Sequence, residues 1–576
     1  MTTKNAKKDP LVNIKIVGEG FDEFGQRYLK LKVNGSTRSL PPYSMADILD
    51  PKRLYRELGD AGCKLFSRQL QNRLQAMLQS YEQLGAPSFS IVTRLGSFRG
   101  FYVRPDKIIG NPARPVELAL GSLDSHMLAK YRCRGSLESW QEKIGKLCIG
   151  NSRLMFAASL ACTGPILPFV SGPRTGGFQI SGKAESGKTA LAMVAGSIWG
   201  CHRDAMRNDK GFAESWNTTV NKLEETAQAH SDALLILDET NLAGGTEKER
   251  AEAVINGAFR LSENMQKGRF NESKRAAWRF YFLSTSNRTL DELADQGGVP
   301  IDDQHRGRLV DIVLPPGLGT FGIYQDLHGF SDGAALTDAV KARCRTVFGT
   351  PGYRFVRKLY KSKNSRSAAK KFVSARRTYY IDRVRQEAKS RGLKPLERAT
   401  ARFATVYAAG CLAIKYGIFT WSSKDLFPAI LSCQLDGLVA AGRKTDQVTN
   451  LRQKLVNYLA QIPTRLTDLN RGKLSSEAHI FGSVPGYSHT HSGIDWLYLT
   501  SDQLKTIIGK DKAASRLKKR LVDEGLMAST GKRALVQRPI FKAKGNKGYR
   551  WVHAFRASLV ESSMDAPRRL ALNKNR

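Results

Sequence analysis

Gly182 to Thr189 reads GKAESGKT, and Ile236 to Glu239 reads ILDE further along the chain. Together they dictate the kind of sheet this chain builds. The first fits the pattern G-x-x-x-x-G-K-[ST]. Its glycines let backbone N–H groups turn inward around phosphate oxygens, and the following helix adds its positive N-terminal end. Gly177 to Ser181 reads as a short strand entering the loop. Leu191, Val194, Ala195 and Ile198 then recur at helical spacing until Gly200 ends the run. Ala233 to Leu237 is wholly apolar, which suits a central parallel strand buried on both faces. Asp238 and Glu239 then emerge at its C-terminal end, in the crevice where open α/β sheets bind ligands.

This pairing predicts a site for ATP and Mg²⁺. Gly182, Glu185, Ser186, Gly187, Lys188, Thr189 and Ala190 are the expected phosphate-binding residues, with Lys188 reaching the β- and γ-phosphates. Thr189 and Asp238 are placed to hold the metal, and Glu239 to orient and deprotonate a water. Arg279 to Ser284 is a third buried strand running into Thr285, Ser286 and Asn287. Asn287 either meets the γ-phosphate or the attacking water, or merely starts the next turn. Arg306 and Arg308 immediately precede a further apolar strand. In ring ATPases an arginine at this point faces the neighbouring subunit's nucleotide. Arg308 is the first candidate because it abuts the strand, and Arg306 the second; the alternative is a surface arginine pairing with Asp302 or Asp303.

The charge narrows the partners. The 576 residues carry 91 Lys and Arg against 52 Asp and Glu, a formal net charge of +39. Such a field attracts polyanions, and nucleic acid is the natural one. A membrane is a poor competitor. The longest mostly apolar stretch, Leu154 to Val170, contains Ser, Thr, Gly and Pro and is too short to span. The first residues have no apolar core of the secretory type. The eight cysteines include no C-x-x-C pair and read as reduced thiols, so a cytoplasmic protein is expected. His489 and His491, with His479 as the other nearby candidate, make a weak metal motif. An ABC-type ATPase would need an LSGGQ-like signature, which the chain lacks. A small-molecule kinase fits neither the charge nor the extra domains that the chain is expected to hold.

Four regions are expected. Residues 1–130 read as an α+β module, with strands at Val12 to Val17 and Tyr28 to Val33 and a helix at Phe66 to Leu84. Phe89 to Val92 and Gly100 to Val103 are expected to form a strand pair. Residues 131–345 hold the P-loop core, with a leading helical segment at Leu137 to Val170 and helices at Trp216 to His230 and Gly245 to Glu263. Within it, Lys267 to Trp278 is either a solvated loop or a hairpin aimed at a ring's channel, where Lys267, Arg269, Lys274 and Arg275 would grip phosphates. Residues 346–448 read as a helical lid and basic region. Arg357 to Arg377 carries nine basic residues and no acidic one, interleaved with Tyr360 and Phe372. Leu396 to Tyr416 is an amphipathic helix on which Arg398 or Arg402 could reach nucleotide. Residues 449–576 resemble a winged helix with a basic tail. A helix capped by Ser501 precedes a second, Lys512 to Glu524, with Arg516, Lys518, Lys519 and Arg520 largely outside. Strands at Ala534 to Lys542 and Gly548 to Phe555 follow, joined by a turn holding Lys544 and Lys547. The predicted DNA contacts, to single and double strands, are Lys274, Arg275, Arg516, Lys519, Lys544 and Lys547.

From about Phe89 to Gly417 the chain resembles the domain-of-unknown-function ATPases of mobile-element replication helicases, including the cassette chromosome helicases of staphylococci. The matching pieces are SIVTRLGSFRGFYVRPDKIIG, GFQISGKAESGKTALAMVAGSIWG, SDALLILDETN, GRLVDIVLP and GIYQDLHGFSDGAALTDAV. The last is not a generic ATPase feature. The resemblance implies an α/β fold with an AAA+ core similar to the minichromosome-maintenance helicases, a hexameric ring and ATP-driven unwinding. It carries Lys188, Thr189, Asp238, Glu239, Asn287 and Arg308 into catalytic roles. The expected function is an ATP-dependent DNA helicase replicating a phage, plasmid or genomic island. The alternatives are a replication initiator or helicase loader that does not translocate, and a DNA-binding module with a degenerate nucleotide site.

Overall fold

A computed structural model describes residues 10–65, 67–83, 85, 87–98, 100–119, 130–172, 175–201, 211–265, 277–316, 321–461, 467–468, 485–531, 534–543 and 546–561. The chain divides into two units, Met1–Leu438 and Val439–Arg576.

Buried apolar strands organise the first unit. Gly176–Ser181, Leu234–Asp238, Tyr281–Ser286 and Leu309–Val313, with the short Glu214–Ser215, make one five-stranded sheet. Every neighbouring pair in it is parallel. Leu234 to Leu237 and Tyr281 to Leu283 are fully buried, as strands covered on both faces must be. The order places Tyr281–Ser286 between the strand that enters the P-loop and the strand that ends in Asp238. Leu237 lies opposite Ser284, and Ser286 lies opposite Ser181, so the C-terminal ends converge.

Local chemistry trims the expected boundaries. The third strand starts at Tyr281 rather than Arg279, whose guanidinium bonds both carboxylate oxygens of buried Asp232, at 2.6 and 2.8 Å. The helix after Trp216 begins only at Val220, where the Thr219 hydroxyl accepts from Lys222 N. The next helix, Glu247–Ser262, opens on a capping box between Thr246 and Glu249.

The N-terminal strands Ile14–Phe21 and Arg27–Val33 pair antiparallel and pack with helix Arg68–Gln79 around Leu29, Leu31, Leu74 and Leu78. The expected pairing of Phe89 to Val92 with Gly100 to Val103 does not occur. Phe89–Val92 adds parallel to Ile14–Phe21 and to Val116–Leu118. Phe101–Val103 instead joins Gly96–Ser97 and Ile108–Gly110 in a separate sheet. Asp232 explains the split. Its carboxylate accepts the Ser97 N–H at 2.8 Å, and its backbone oxygen accepts the Tyr102 hydroxyl at 2.7 Å. These bonds hold the ribbon against the P-loop sheet, and Phe101, Tyr102 and Val103 share a core with Phe178 and Ile180.

Helices Gly333–Thr346, Thr350–Leu359, Lys363–Ser390 and Glu397–Lys415 follow. The last falls where the amphipathic helix is expected, but it is buried on all sides from Arg402 to Ala413 rather than along one face, with Phe403, Val406 and Tyr407 in the core. In the second unit, helices Ser501–Ile508 and Lys512–Asp523 precede an antiparallel hairpin of Val536–Ala543 and Asn546–Arg556. Leu504, Leu517, Leu521 and Phe555 form part of its core. Among the described residues, no helix is long and apolar enough to cross a membrane.

Candidate active site

The loop after Ser181 closes on itself through its lysine. Lys188 Nζ donates to the Gly182 carbonyl at 2.9 Å and the Lys183 carbonyl at 2.5 Å, and approaches Ser186 Oγ at 3.4 Å. Burial lowers the Lys188 pKa, and the charges of Asp238 and Glu239 oppose that shift. Two glycines allow the geometry. Gly187 has φ +91°, and a Cβ there would meet Ile323 at 2.9 Å; one on Gly182 would meet Leu314 at 2.4 Å. Helix Lys188–Ser197 starts at Gly187, so its N-terminal end opens into the loop.

Thr285 connects the acidic pair. Its hydroxyl donates to Asp238 Oδ1 at 2.5 Å and accepts from Glu239 N at 2.9 Å. Glu239 sits at φ 61° and ψ 84°, a left-handed conformation rare for a side chain other than glycine. Such strain persists where surrounding contacts impose it, and it clusters at active sites. Ser286 is anchored next to it, accepting from the Thr240 hydroxyl at 2.7 Å.

One cavity of about 380 Å³ brings these groups together. Glu185 to Ala190, Asp238, Glu239 and Asn287 all line it. Thr189 and Asp238 offer a hydroxyl and a carboxylate, which are hard oxygen donors of the kind Mg²⁺ takes, with waters and phosphate filling the remainder. Among the described residues there is no cluster of three or more His, Cys, Asp or Glu side chains fit to hold a metal by themselves, at His489 and His491 or elsewhere. His479 lies outside the described residues.

Further residues complete the wall. Thr285, Asn241, Ala334, Thr337, Asp338 and Lys341 line the same cavity. The last four lie on helix Gly333–Thr346, inside the stretch GIYQDLHGFSDGAALTDAV and just beyond it. That stretch also supports the phosphate loop from behind. Ile323 N donates to the Ser186 carbonyl at 2.9 Å, and the Tyr324 hydroxyl lies 2.9 Å from Thr337 Oγ1. Asn151 Oδ1 accepts from the Gln325 and Asp326 amides at 2.7 and 3.0 Å. On the neighbouring strand, Asp311 accepts from Gln179, Ser181 and Leu290 N, and burial pushes its carboxyl up to about 6.

The two candidate arginines lie elsewhere. Arg308 precedes Leu309 and Thr175 precedes Gly176, so both stand at the strand starts, opposite the P-loop end of a parallel sheet. The Arg308 guanidinium lies 3.7 Å from the Phe259 ring centroid and 3.4 Å from Glu263, with its Nη1 buried and without a hydrogen-bond partner. It borders a polar pocket of about 350 Å³ together with Thr175, Asn264 and Arg398. Arg306 pairs with Asp291 at 2.9 Å and Asp303 at 3.0 Å. Arg402 does not reach the phosphate loop. It is buried and donates to the backbone carbonyls of Gly177, Gly307 and Arg308.

Of the expected DNA contacts, Lys519 is exposed and Arg516 half-buried on helix Lys512–Asp523. Lys274, Arg275 and Lys544 fall outside the described residues, as does the side chain of Lys547.

A family model described as a domain of unknown function (DUF927) matches residues 15–275. That span includes the P-loop and the acidic strand and stops before Asn287. No curated protein matches the chain. Among solved structures, one titled "SCCmec type IV Cch - active helicase" superposes with a TM-score of 0.56 at 15% sequence identity. The superposition covers 95% of this chain and 94% of that one, so the chain is similar in fold to that protein over nearly its whole length.

Proposed function

We propose that this chain is an AAA+ ATPase that assembles as a hexameric ring and uses ATP and Mg²⁺ to separate DNA strands in the replication of a phage, plasmid or genomic island. The observation that carries this reading is the strand order. Tyr281–Ser286 lies between the P-loop strand and the acidic strand, so that Lys188, Asp238, Glu239 and Asn287 meet around one cavity. The net charge of +39 and the fold shared with a structure titled an active helicase supply the nucleic-acid side.

In this mechanism the loop amides and Lys188 hold the β- and γ-phosphates, and Thr189 and Asp238 hold the metal. Bound Mg²⁺ supplies positive charge to the phosphate oxygens. Glu239 takes the proton of the attacking water, and Asn287 orients that water or the γ-phosphate. Thr285 ties the Asp238 carboxylate to the Glu239 backbone N–H through its paired hydrogen bonds. ATP hydrolysis that rises on adding single-stranded DNA supports the reading; hydrolysis indifferent to DNA at low salt overturns it.

Arg308 is assigned a role in trans. It stands at the end of the sheet away from its own P-loop, so a nucleotide it meets belongs to another subunit. An arginine acting in this way contributes roughly 10³ to 10⁵ in rate. Mixing Arg308→Ala with Lys188→Ala is expected to recover part of the lost ATPase, because some interfaces then pair an intact loop with an intact arginine. Co-assembled mixed rings with no recovery would return Arg308 to a structural part beside Phe259 and Glu263.

The second unit is assigned to duplex DNA as a winged helix, with Lys512–Asp523 as the recognition helix and Arg516 and Lys519 on it. Lys544 and Lys547, which follow strand Val536–Ala543 in the sequence, are assigned to the wing. No residue lining the cavity lies beyond Lys341. Truncation after residue 450 is therefore expected to weaken duplex binding while basal ATPase survives. The slope of log K against log salt falls by about one for each phosphate that the shortened chain no longer neutralises. Unchanged affinity and slope would reassign the unit to partner docking.

A further inference from the structure

The nine cations between Arg357 and Arg377 have no role in the site described above, and none of them makes an ion pair among the described residues. Most lie on or next to helix Lys363–Ser390, whose buried side is Ala369, Val373, Tyr380, Val384 and Ala388. Phe372, Arg376, Tyr379 and Arg383 follow one another at steps of four, three and four residues, and so share another face. On that face aromatic rings and cations alternate. The Arg376 guanidinium lies 5.2 Å from the Phe372 ring centroid, and Lys415 Nζ approaches the same ring to 4.7 Å. The Arg383 guanidinium lies 5.9 Å from the Phe427 centroid.

Tyr379 is the exception to the burial of large apolar groups here, since it is 44% exposed. It is nonetheless held firmly. Its ring stacks on Tyr407 at 6.2 Å with an interplanar angle of 28°, and meets Phe427 edge-on at 5.7 Å. One side of the ring is thus braced by packed aromatics while much of it faces solvent. Between Arg357 and Gln386 the one carboxylate is Asp382, which lies 3.9 Å from Arg385. The local field is therefore strongly positive.

We infer that this face binds single-stranded nucleic acid, a base stacking on Tyr379 while Arg376 and Arg383 contact the adjoining phosphates. Aromatic rings between cations are how proteins hold single strands without reading sequence, because every base has a π-face. A duplex hides those faces within its own stack, so the site discriminates by strandedness. The bracing by Tyr407 and Phe427 fixes the ring before a base arrives, which lowers the entropy lost on binding. This inference rests on the reading of the chain as a DNA-dependent ATPase, and it adds where the single strand is gripped.

The test uses the full chain without nucleotide and follows fluorescence anisotropy of a labelled oligothymidylate, an oligouridylate and a blunt duplex over a range of salt. Tyr379→Ala is expected to weaken binding of the oligothymidylate by about tenfold with its salt slope unchanged, and Tyr379→Trp to retain it. Arg383→Gln is expected to lower the slope by about 0.7. The oligouridylate follows the same pattern, since stacking does not consult the 2′-hydroxyl. Binding of a fluorescent ATP analogue, unchanged in Tyr379→Ala, controls for folding. Wild-type affinity of Tyr379→Ala for single strands, or an equal loss for single strands and duplex, overturns the platform and leaves the ATPase reading standing. A wild-type chain that binds no single strand at all overturns both.

Discussion

Lys188→Ala is expected to lower ATP hydrolysis by about 10² to 10³-fold or more, the loss found when one preorganised cationic or hydrogen-bonding group is removed from a charged transition state. Lys188 is already desolvated and directed at the loop, donating to the Gly182 and Lys183 carbonyls. On the proposed mechanism, an entering phosphate would take the place of those carbonyls. Lys183, the other cation of the loop, is exposed and absent from the cavity lining, so it offers no substitute. Truncation leaves the loop backbone anchored through Ile323 N and the Ser186 carbonyl, and the variant should still fold. Steady-state phosphate release measures the effect. Hydrolysis within a few-fold of wild type would remove Lys188 from the site.

Glu239→Gln is expected to separate binding from chemistry. The amide cannot take a proton from water, and loss of a general base lowers turnover by about 10² to 10⁴-fold. Asp238 and Thr189, the proposed metal-holding pair, are untouched, so nucleotide affinity should change little. The left-handed backbone at Glu239 and its N–H bond to Thr285 Oγ1 are also independent of side-chain charge. The expected result is a protein that retains a fluorescent ATP analogue at wild-type affinity with turnover near background. Wild-type turnover would show that another group, such as Asp338, which lines the same cavity, accepts the proton.

The P-loop, the acidic strand and the order of the core elements are legible in the sequence because each is written locally. A glycine pattern, a buried apolar run and a polar strand end each need only a few consecutive residues. Thr285 is less legible: its part lies in two hydrogen bonds to residues on a different strand, and only the sheet order brings them within reach. Ala334, Thr337 and Asp338 lie in the stretch GIYQDLHGFSDGAALTDAV and Lys341 just beyond it, but nothing in their spacing says that this helix lines the cavity. Asp232 escapes sequence reasoning altogether. A single buried carboxylate that bonds Ser97, Arg279 and, at 3.5 Å, Arg94 has no signature of its own, yet it decides which sheet Phe101–Val103 joins. Boundaries shift where a cap starts a helix later than expected, as at Thr219, or where an ion pair claims the expected first residue, as at Arg279.

Strand separation tests the central claim most directly. The full chain, incubated with Mg²⁺, ATP and a forked duplex carrying a fluorophore and quencher, is expected to release the labelled strand, and neither Lys188→Ala nor Glu239→Gln should do so. DNA-stimulated hydrolysis by the wild-type chain without any strand release would contradict the helicase reading and leave an initiator or loader that uses ATP for assembly.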